Sequence, residues 1–575
     1  MFVSLSCFLL SDCAYNPVTG KKELSFMSDE KEIAIGKDSD PKIIAAYGLY
    51  EDETLQAFIN KKGKEMAAIS HRPNLNYQFR ILDSPVINAF ALPGGYVYFT
   101  RGILAHFSNE AEFAGVLGHE IGHITARHSA KQYTRQILGQ VGLVAGLLLS
   151  DVVRQNANQA SQALQLVFLK FGRDQESQSD KLGVQYSSTI GYDARYMADF
   201  FNTLNRMRGD DAANMPTFLS THPAPLDRYK TVNSLAEKFQ AENTDKTYAE
   251  NRDQYLRMID GLTYGEDPRQ GYVENGVFYH PDLKFQFSIP SGWKLANSPQ
   301  QVQITPENGE AAILMMLAQE KNLDEAGKNF VTNNKLTLVS SQKTSVNGLN
   351  AVKIISDQYP QQQQQQQQAS SSAAGGQNQS MASNKGQTKG QPKGQNAPQT
   401  QNKGQVQSKG QPQGGVQGKT PGKNPSTPNK APHPAPKGQN QTPIPGKGSN
   451  QNPGQGHPAP TQNGVTPTLR IQTTMIEYNG MIYAFHGLTK YAEFNQYSRN
   501  FDIPGKNFKK LTNAAKINVK PTKLRVKTVQ RTGTLSSTLK ALGAKNDQLD
   551  ELAIINGMKL EDQVKKGSLI KILGK

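Results

Sequence analysis

At 575 residues the chain is long enough for several domains, each with a core of its own. Its formal charge of +16 is uneven, because ten lysines and no acidic residue lie between Tyr359 and Leu469. The rest is only mildly basic and shows no basic patch with interleaved aromatics, which argues against a nucleic-acid partner. Attraction to anionic envelope polymers or lipid headgroups stays open. The two cysteines, Cys7 and Cys13, stand near the start and none follows. Any metal in the body must therefore be held by nitrogen and oxygen, not thiolate. No stretch is long enough to span a bilayer, and the apolar run Val141 to Leu149 is short and broken by Gly142 and Gly146.

Met1 to Cys13 is a short apolar run ending in a cysteine. It reads as the tail of a secretory signal of the lipoprotein type, with Cys13 as the acylation site. No Lys or Arg precedes the run, and Asp12 stands where a small residue is usual; a buried N-terminal segment is the alternative. Ser28 to Arg72 reads as helical, with Ser28-Asp29-Glu30 as a start signal and an amphipathic stretch from Leu55 to Met66. Tyr77 to Leu82 alternates like a strand. Asn88 to Thr100 reads as a hairpin turning at Pro93-Gly94-Gly95. Such a strand could take an extended peptide on its edge through Asn88, Ala89 and Phe90. A purely structural hairpin is the alternative.

His119-Glu120-Ile121-Gly122-His123 follows, inside an apolar helix-periodic segment. Asn109 and Glu112 form a capping box that starts this helix. Residues i and i+4 share a helix face, so the two imidazoles can share one zinc ion, with Glu120 beside them as general base. By chance an H-E-x-x-H pattern arises on the order of once in a hundred chains of this length. Chance copies fall mostly in polar surroundings, whereas this one would bury two His and a Glu, which need partners. His128 lies off the ligand face and reads as structural or exposed.

Further on, Glu176 and Asp180 are four residues apart in Arg173-Asp174-Gln175-Glu176-Ser177-Gln178-Ser179-Asp180-Lys181-Leu182-Gly183. Glu176 is the candidate third ligand, and Asp180, one turn on, can orient His119 or His123. A solvated acidic face is the alternative.

These segments, taken in order, resemble the M48 family of zinc metallopeptidases: His119 to His123, Asn88-Ala89-Phe90 with Pro93-Gly94-Gly95, and Arg173, Glu176, Asp180 and Gly183. Ser220-Thr221-His222-Pro223 with Arg228 is similar to that family's downstream segment. Asn16-Pro17-Val18-Thr19-Gly20 after a cysteine is similar to its exported members. Ser179 stands where the family usually has Ala. The resemblance implies gluzincin-type endopeptidase chemistry, with one zinc ion per chain on His119, His123 and Glu176 and with Glu120 moving the proton. It makes His222 and Arg228 candidates to contact the oxyanion, or to fill the open zinc position when the enzyme is idle. The alternative is that Thr221-His222-Pro223 caps a loop.

Val273 to Ile355 alternates like a small α+β unit, with strands at Phe285 to Pro290 and Ala311 to Met316 and a helix near Asp324 to Leu336. After Tyr359 come polyglutamine and Lys-Gly-Gln repeats, with too few apolar residues for a core, so this tract is expected to be disordered. Strand-like sequence resumes at Thr468 to Ile476 and Met481 to His486. The tract is therefore expected to be a loop inserted in one small domain, with two linked domains as the alternative. Leu524 to Leu573 has a βααβ shape and resembles the LysM family, which implies binding to peptidoglycan-like glycans. Gly533 stands where that family usually has Asp.

The sequence thus predicts a multidomain protein in five parts. Residues 1–13 are a signal segment and 14–265 a mainly α (α+β) zincin-type peptidase domain. Residues 270–358 and 468–518 form an accessory α+β domain, 359–467 a disordered insertion, and 522–573 a LysM-like module. The resemblance implies a periplasmic, outer-membrane-associated endopeptidase acting on unfolded or misassembled envelope proteins. Expected partners are those substrates, peptidoglycan, and the membrane through acylated Cys13. The alternative is a non-proteolytic envelope assembly or peptidoglycan-binding factor with a shut zinc site.

Overall fold

A computed structural model describes residues 13–135, 170–207, 216–222, 228–360 and 465–575. The expected signal run before Cys13, the apolar run 141–149 and residues 361–464 of the low-complexity tract lie outside the described residues. Among the described residues no helix is long and apolar enough to cross a membrane.

Cys13 opens a two-stranded ribbon, β1 (Cys13–Asn16) against β2 (Lys21–Leu24). Asn16 fixes its turn, its side-chain oxygen accepting from the amides of Val18 and Thr19. Helices α1 (Asp29–Tyr47) and α2 (Glu53–Ala68) start where Ser28 and Asp52 cap them. A three-stranded sheet follows: β3 (Gln78–Leu82) runs parallel to the central β5 (Tyr96–Thr100), and β4 (Ala89–Leu92) runs antiparallel on its other side. The hairpin between β4 and β5 turns where expected. Gly94 and Gly95 there take φ of 83° and 104°, which glycine adopts without strain.

The short α3 (Arg101–His106) leads into α4 (Glu110–Thr125), of which every residue is buried. α5 (Arg173–Thr189) lies against α4 and is followed by α6 (Arg195–Arg206), the short α7 (Thr217–Thr221), α8 (Arg228–Glu242) and α9 (Arg252–Met258). α4 and α5 touch backbone to backbone. A Cβ built on Gly118 would stand 2.9 Å from the Gly183 carbonyl oxygen, and one on Gly183 would stand 3.0 Å from the Gly115 carbonyl oxygen. Small residues at these points let carboxylates on α5 reach imidazoles on α4.

The accessory part holds a seven-stranded antiparallel sheet and a smaller one. β6 (Tyr272–Glu274), β7 (Val277–His280) and β8 (Phe285–Ser288) form the smaller, with Lys509–Lys510 on its edge. The larger contains β9 (Trp293–Asn297), β10 (Gln301–Pro306), β11 (Ala311–Ala318), β12 (Thr337–Val346), β13 (Leu349–Gln358), β14 (Leu469–Tyr478) and β15 (Met481–Lys490). Its order is β12-β13-β14-β15-β11-β10-β9. Strands β13 and β14, which flank the low-complexity tract in sequence, are direct neighbours there, with Ile354 opposite Thr473. α10 (Leu323–Asn333) packs with Ile354, Met475 and Ile482. α11 (Phe494–Lys506) and the smaller sheet pack with Ile313, Tyr483 and Phe485. The two sets alternate along each strand, as a sheet covered on both faces requires.

At the C-terminus β16 (Lys523–Thr528) pairs antiparallel with β17 (Leu569–Gly574), and α12 (Leu535–Ala541) and α13 (Leu549–Ile555) lie between them in sequence. This unit shares a hydrophobic core with the helical part: Leu552, Ile555 and Ile570 join the cluster that holds Phe107, Phe113 and Phe200. The Lys571 ammonium, fully buried, donates to the carbonyls of Ala105 and Phe107 at 3.1 and 2.8 Å.

Candidate metal centre

α4 begins at Asn109, whose side chain accepts from the Glu112 amide at 2.8 Å. The Glu112 carboxylate reaches back one residue further than in a capping box, to the Ser108 amide at 2.7 Å. Burial raises the Glu112 carboxyl to about 8. Two turns on, α4 presents His119 and His123 to α5.

His119, His123, Glu176 and His222 each offer one ligand atom, and these atoms lie within 4.8 Å of one another. Nε2 of His119 is 2.9 Å from Nε2 of His123, and the Glu176 oxygens stand 3.7 and 3.5 Å from the two. His222, which ends α7, brings Nε2 within 3.6 Å of Glu120 Oε1, and its ring stacks on Phe218. None of the four is more than 2% exposed. The four residues thus come from three separate helical segments.

Electrostatics suits a cation. Burial lowers His119 to about 4 and holds His123 and His222 well below their ordinary value, so all three imidazoles are neutral with lone pairs available. Burial raises Glu176 to about 8, and burial with the nearby Glu176 holds Glu120 well above the carboxylate range. Among the described residues, both oxygens of Glu120, both of Glu176 and Nε2 of His222 are buried without a hydrogen-bond partner. Buried polar atoms in that number call for a charge of opposite sign between them. Three nitrogens and a carboxylate are a donor set that fits a divalent transition metal.

Around this group lie residues that hold it in place. Asp180 Oδ1 is 3.0 Å from His119 Nδ1, which leaves His119 Nε2 facing the cluster. Burial alone would raise the Asp180 carboxyl, but Arg228 and the His119 hydrogen bond together keep it below its ordinary value. Arg228 brings Nη1 to 3.3 Å from Glu176 Oε2, buried and without a hydrogen-bond partner among the described residues. Its Nε and Nη2 donate to the two Asp180 oxygens at 2.7 and 2.6 Å, and its guanidinium lies 4.0 Å over the Phe201 ring.

One sequence-based expectation changes and another is narrowed. Phe90 turns its side chain away from the cluster to stack on Tyr98, in a separate core with Ile43 and Leu82. Ala89 and Ala91 point the other way, into the core that holds Phe113, Leu117 and Ile121, while Asn88 is buried with Oδ1 unpartnered among the described residues. His128 is buried, the structural side of its sequence-based reading, and it touches the cluster. α4 ends at Thr125, and Arg127 takes a left-handed φ of 56°, which reverses the chain and brings His128 Nδ1 to 2.9 Å from His123 Nδ1. Helical extrapolation past Thr125 hides this contact. The side chain of Cys13 lies outside the described residues.

Comparison with known proteins agrees with this geometry. The model of peptidase family M48 matches residues 53–236, which contain all four clustered residues and Glu120. A mitochondrial metalloendopeptidase OMA1 of Arabidopsis thaliana is 32% identical over 182 residues, covering 32% of this chain and 36% of that protein. A beta-barrel assembly-enhancing protease of Yersinia pestis is 27% identical over 322 residues, covering 54% of this chain and 61% of that protein. The chain thus spans between about a third and three fifths of the length of these relatives. Among solved structures, the PsbP protein of Synechocystis (CyanoP) matches 42% of this chain at 9% identity with a TM-score of 0.21, too low to assign a fold.

Proposed function

From the peptidase family M48 domain carried by residues 53–236, we propose that the chain is a zinc-dependent endopeptidase of the cell envelope, acting on unfolded or misassembled envelope proteins. The observation that carries this is the buried group of His119, His123, Glu176 and His222 around the unpartnered carboxyl of Glu120. His119, His123 and Glu176 would hold the zinc, which would supply Lewis acidity for the scissile carbonyl and for activating water.

The chain's own residues do the rest. Beside a divalent cation Glu120 would return to the carboxylate form, whose oxygens, unpartnered among the described residues, could then accept a proton from water and pass it to the departing amine nitrogen. Asp180, clamped by Arg228, fixes the His119 ring. Strand β4 lies at the edge of its sheet, where an extended substrate can add by main-chain pairing. His222 fills the position a substrate or water would need, so it must withdraw before a peptide enters.

The relatives named as beta-barrel assembly-enhancing proteases motivate the envelope setting, and acylation of Cys13 would tether the chain to a membrane there. The C-terminal strand-helix-helix-strand unit is proposed as a LysM-like module for peptidoglycan. One observation favours a second function, a binding or assembly factor with a shut site: His222 stands inside a cluster closed to solvent.

The test is cleavage of a denatured outer-membrane β-barrel protein beside its folded form. Selective cleavage of the denatured form, abolished by a chelator and restored by zinc, is expected. Cleavage that survives complete chelation would overturn the proposal.

A further inference from the structure

We infer that His128 is a positioning residue for the metal site, acting through His123 and completed by Gln178. This rests on metal binding by His123, as proposed above, and not on cleavage.

A histidine ligand donates one ring nitrogen to the metal, and the other needs a fixed partner to set the tautomer and the ring plane. For His119 that partner is Asp180. Among the described residues His123 has no carboxylate in that role. Its Nε2 faces His119 Nε2 and Glu176 at 2.9 and 3.5 Å, so Nε2 is the ligand atom and Nδ1 must carry the proton. Nδ1 lies 2.9 Å from Nδ1 of His128. Two imidazole nitrogens bond only if one is bare, so His128 Nδ1 must be the acceptor.

The other side of His128 enforces this. His128 Nε2 is 3.0 Å from Gln178 Oε1, an oxygen that only accepts, so the His128 proton sits on Nε2. Ser179 Oγ, 3.2 Å from His128 Nδ1, can donate to the same lone pair. The Gln175 side-chain amide donates to the His128 carbonyl at 3.3 Å and anchors its backbone. The reverse orientation of the Gln178 amide would move the proton to His128 Nδ1. His123 would then be protonated on Nε2 and closed to a metal, so the need for a ligand selects the amide orientation.

One helix, α5, therefore supplies a ligand and the anchors of both histidines: Glu176 directly, Asp180 for His119, and Gln178 through His128 for His123. A bulky apolar residue at 128 would leave the His123 N–H without an acceptor in a dry site. An asparagine there can place an amide oxygen near the position of Nδ1 and keep the bond.

The experiment is zinc affinity of the full chain, measured by competition with a chromophoric chelator, for wild type, His128→Leu, His128→Asn and Gln178→Leu. His128→Leu is expected to weaken zinc about 10- to 100-fold, His128→Asn to recover most of that, and Gln178→Leu to fall between. Gln178 is half-buried, so its variant keeps the test open if His128→Leu does not fold. Unchanged affinity in Gln178→Leu together with equal losses in both His128 variants would overturn the inference, because the loss would then be one of packing alone. A chain that shows the expected series and cleaves nothing would sustain the inference and remove the endopeptidase proposal. A wild type that binds no zinc would overturn both.

Discussion

His222 is the one residue of the cluster that a working site would have to move. It comes from the short α7 and is held by stacking on Phe218 and by Thr221 Oγ1, 3.0 Å from its Nδ1. His222→Ala is predicted to raise cleavage of an unfolded protein several-fold in kcat/KM, because it opens the position next to Glu120. A fall would assign the imidazole to the reacting oxygen instead, and no change would remove it from the mechanism. Buried histidines elsewhere set the pH behaviour. Burial lowers His106 and His486 to about 4, so both are neutral in the fold and take up a proton on unfolding below about 6.5. Their contribution to stability is complete above about pH 6.5 and is lost as pH falls toward 4. By pH 5 each is expected to cost on the order of 1–2 kcal/mol. Thermal melts from pH 7.5 to 5 check this: His486→Gln should have a shallower slope than wild type, and an equal slope would contradict it. His119, Glu120 and His123 were legible in the sequence because metal chemistry allows few residue types at that spacing, whereas Glu176 and Asp180 stood out only through the family resemblance, since paired acids one turn apart are also a common solvated face. His128 and Gln178 were not legible, because their contact depends on a left-handed turn at Arg127 that periodicity does not show.

At the scale of elements, the site is a product of how closely α4 approaches α5. Gly118 and Gly183 meet where a Cβ would stand 2.9 Å from backbone oxygen, a distance that side-chain rotation cannot relieve. Alanine at 118 gains up to about 1 kcal/mol in helix propensity, yet overpacking of this kind costs about 1–3 kcal/mol. The clash wins. Gly118→Ala is predicted to lower the melting temperature and to weaken zinc, since Glu176 is carried outward with α5. A raised melting temperature with unchanged zinc affinity would contradict it. Helices, hairpin and strands could be read from caps, turn glycines and alternation. The glycine contact could not, since Gly183 stood out only as part of a motif. The face that Phe90 takes was also hidden: alternation says that neighbours oppose, not which one meets the core.

For the whole molecule, the C-terminal unit is built into the helical part that carries the histidine and glutamate cluster. Lys571 sits between Ile570 and Ile572 and by alternation reads as a surface lysine. It is instead fully buried, with its ammonium on the carbonyls that end α3, just before the helix of the metal site. Burial lowers it to about 7, opposed by the neighbouring Glu112. Lys571→Met keeps the volume and leaves two buried carbonyls unpaired, each costing about 1–3 kcal/mol. It is predicted to lower the melting temperature by several degrees and to speed proteolysis at residues 105–108. A melt superimposable on wild type would show that the contact carries no stability. No local pattern gives this, because docking depends on surfaces far apart in sequence.

The most direct measurement is zinc content and cleavage of an unfolded protein by the purified chain, beside Glu120→Gln. About one zinc per chain in both, with cleavage by wild type alone, is the predicted result. Zinc in both with equal cleavage, or with none in either even after His222→Ala, would contradict the account.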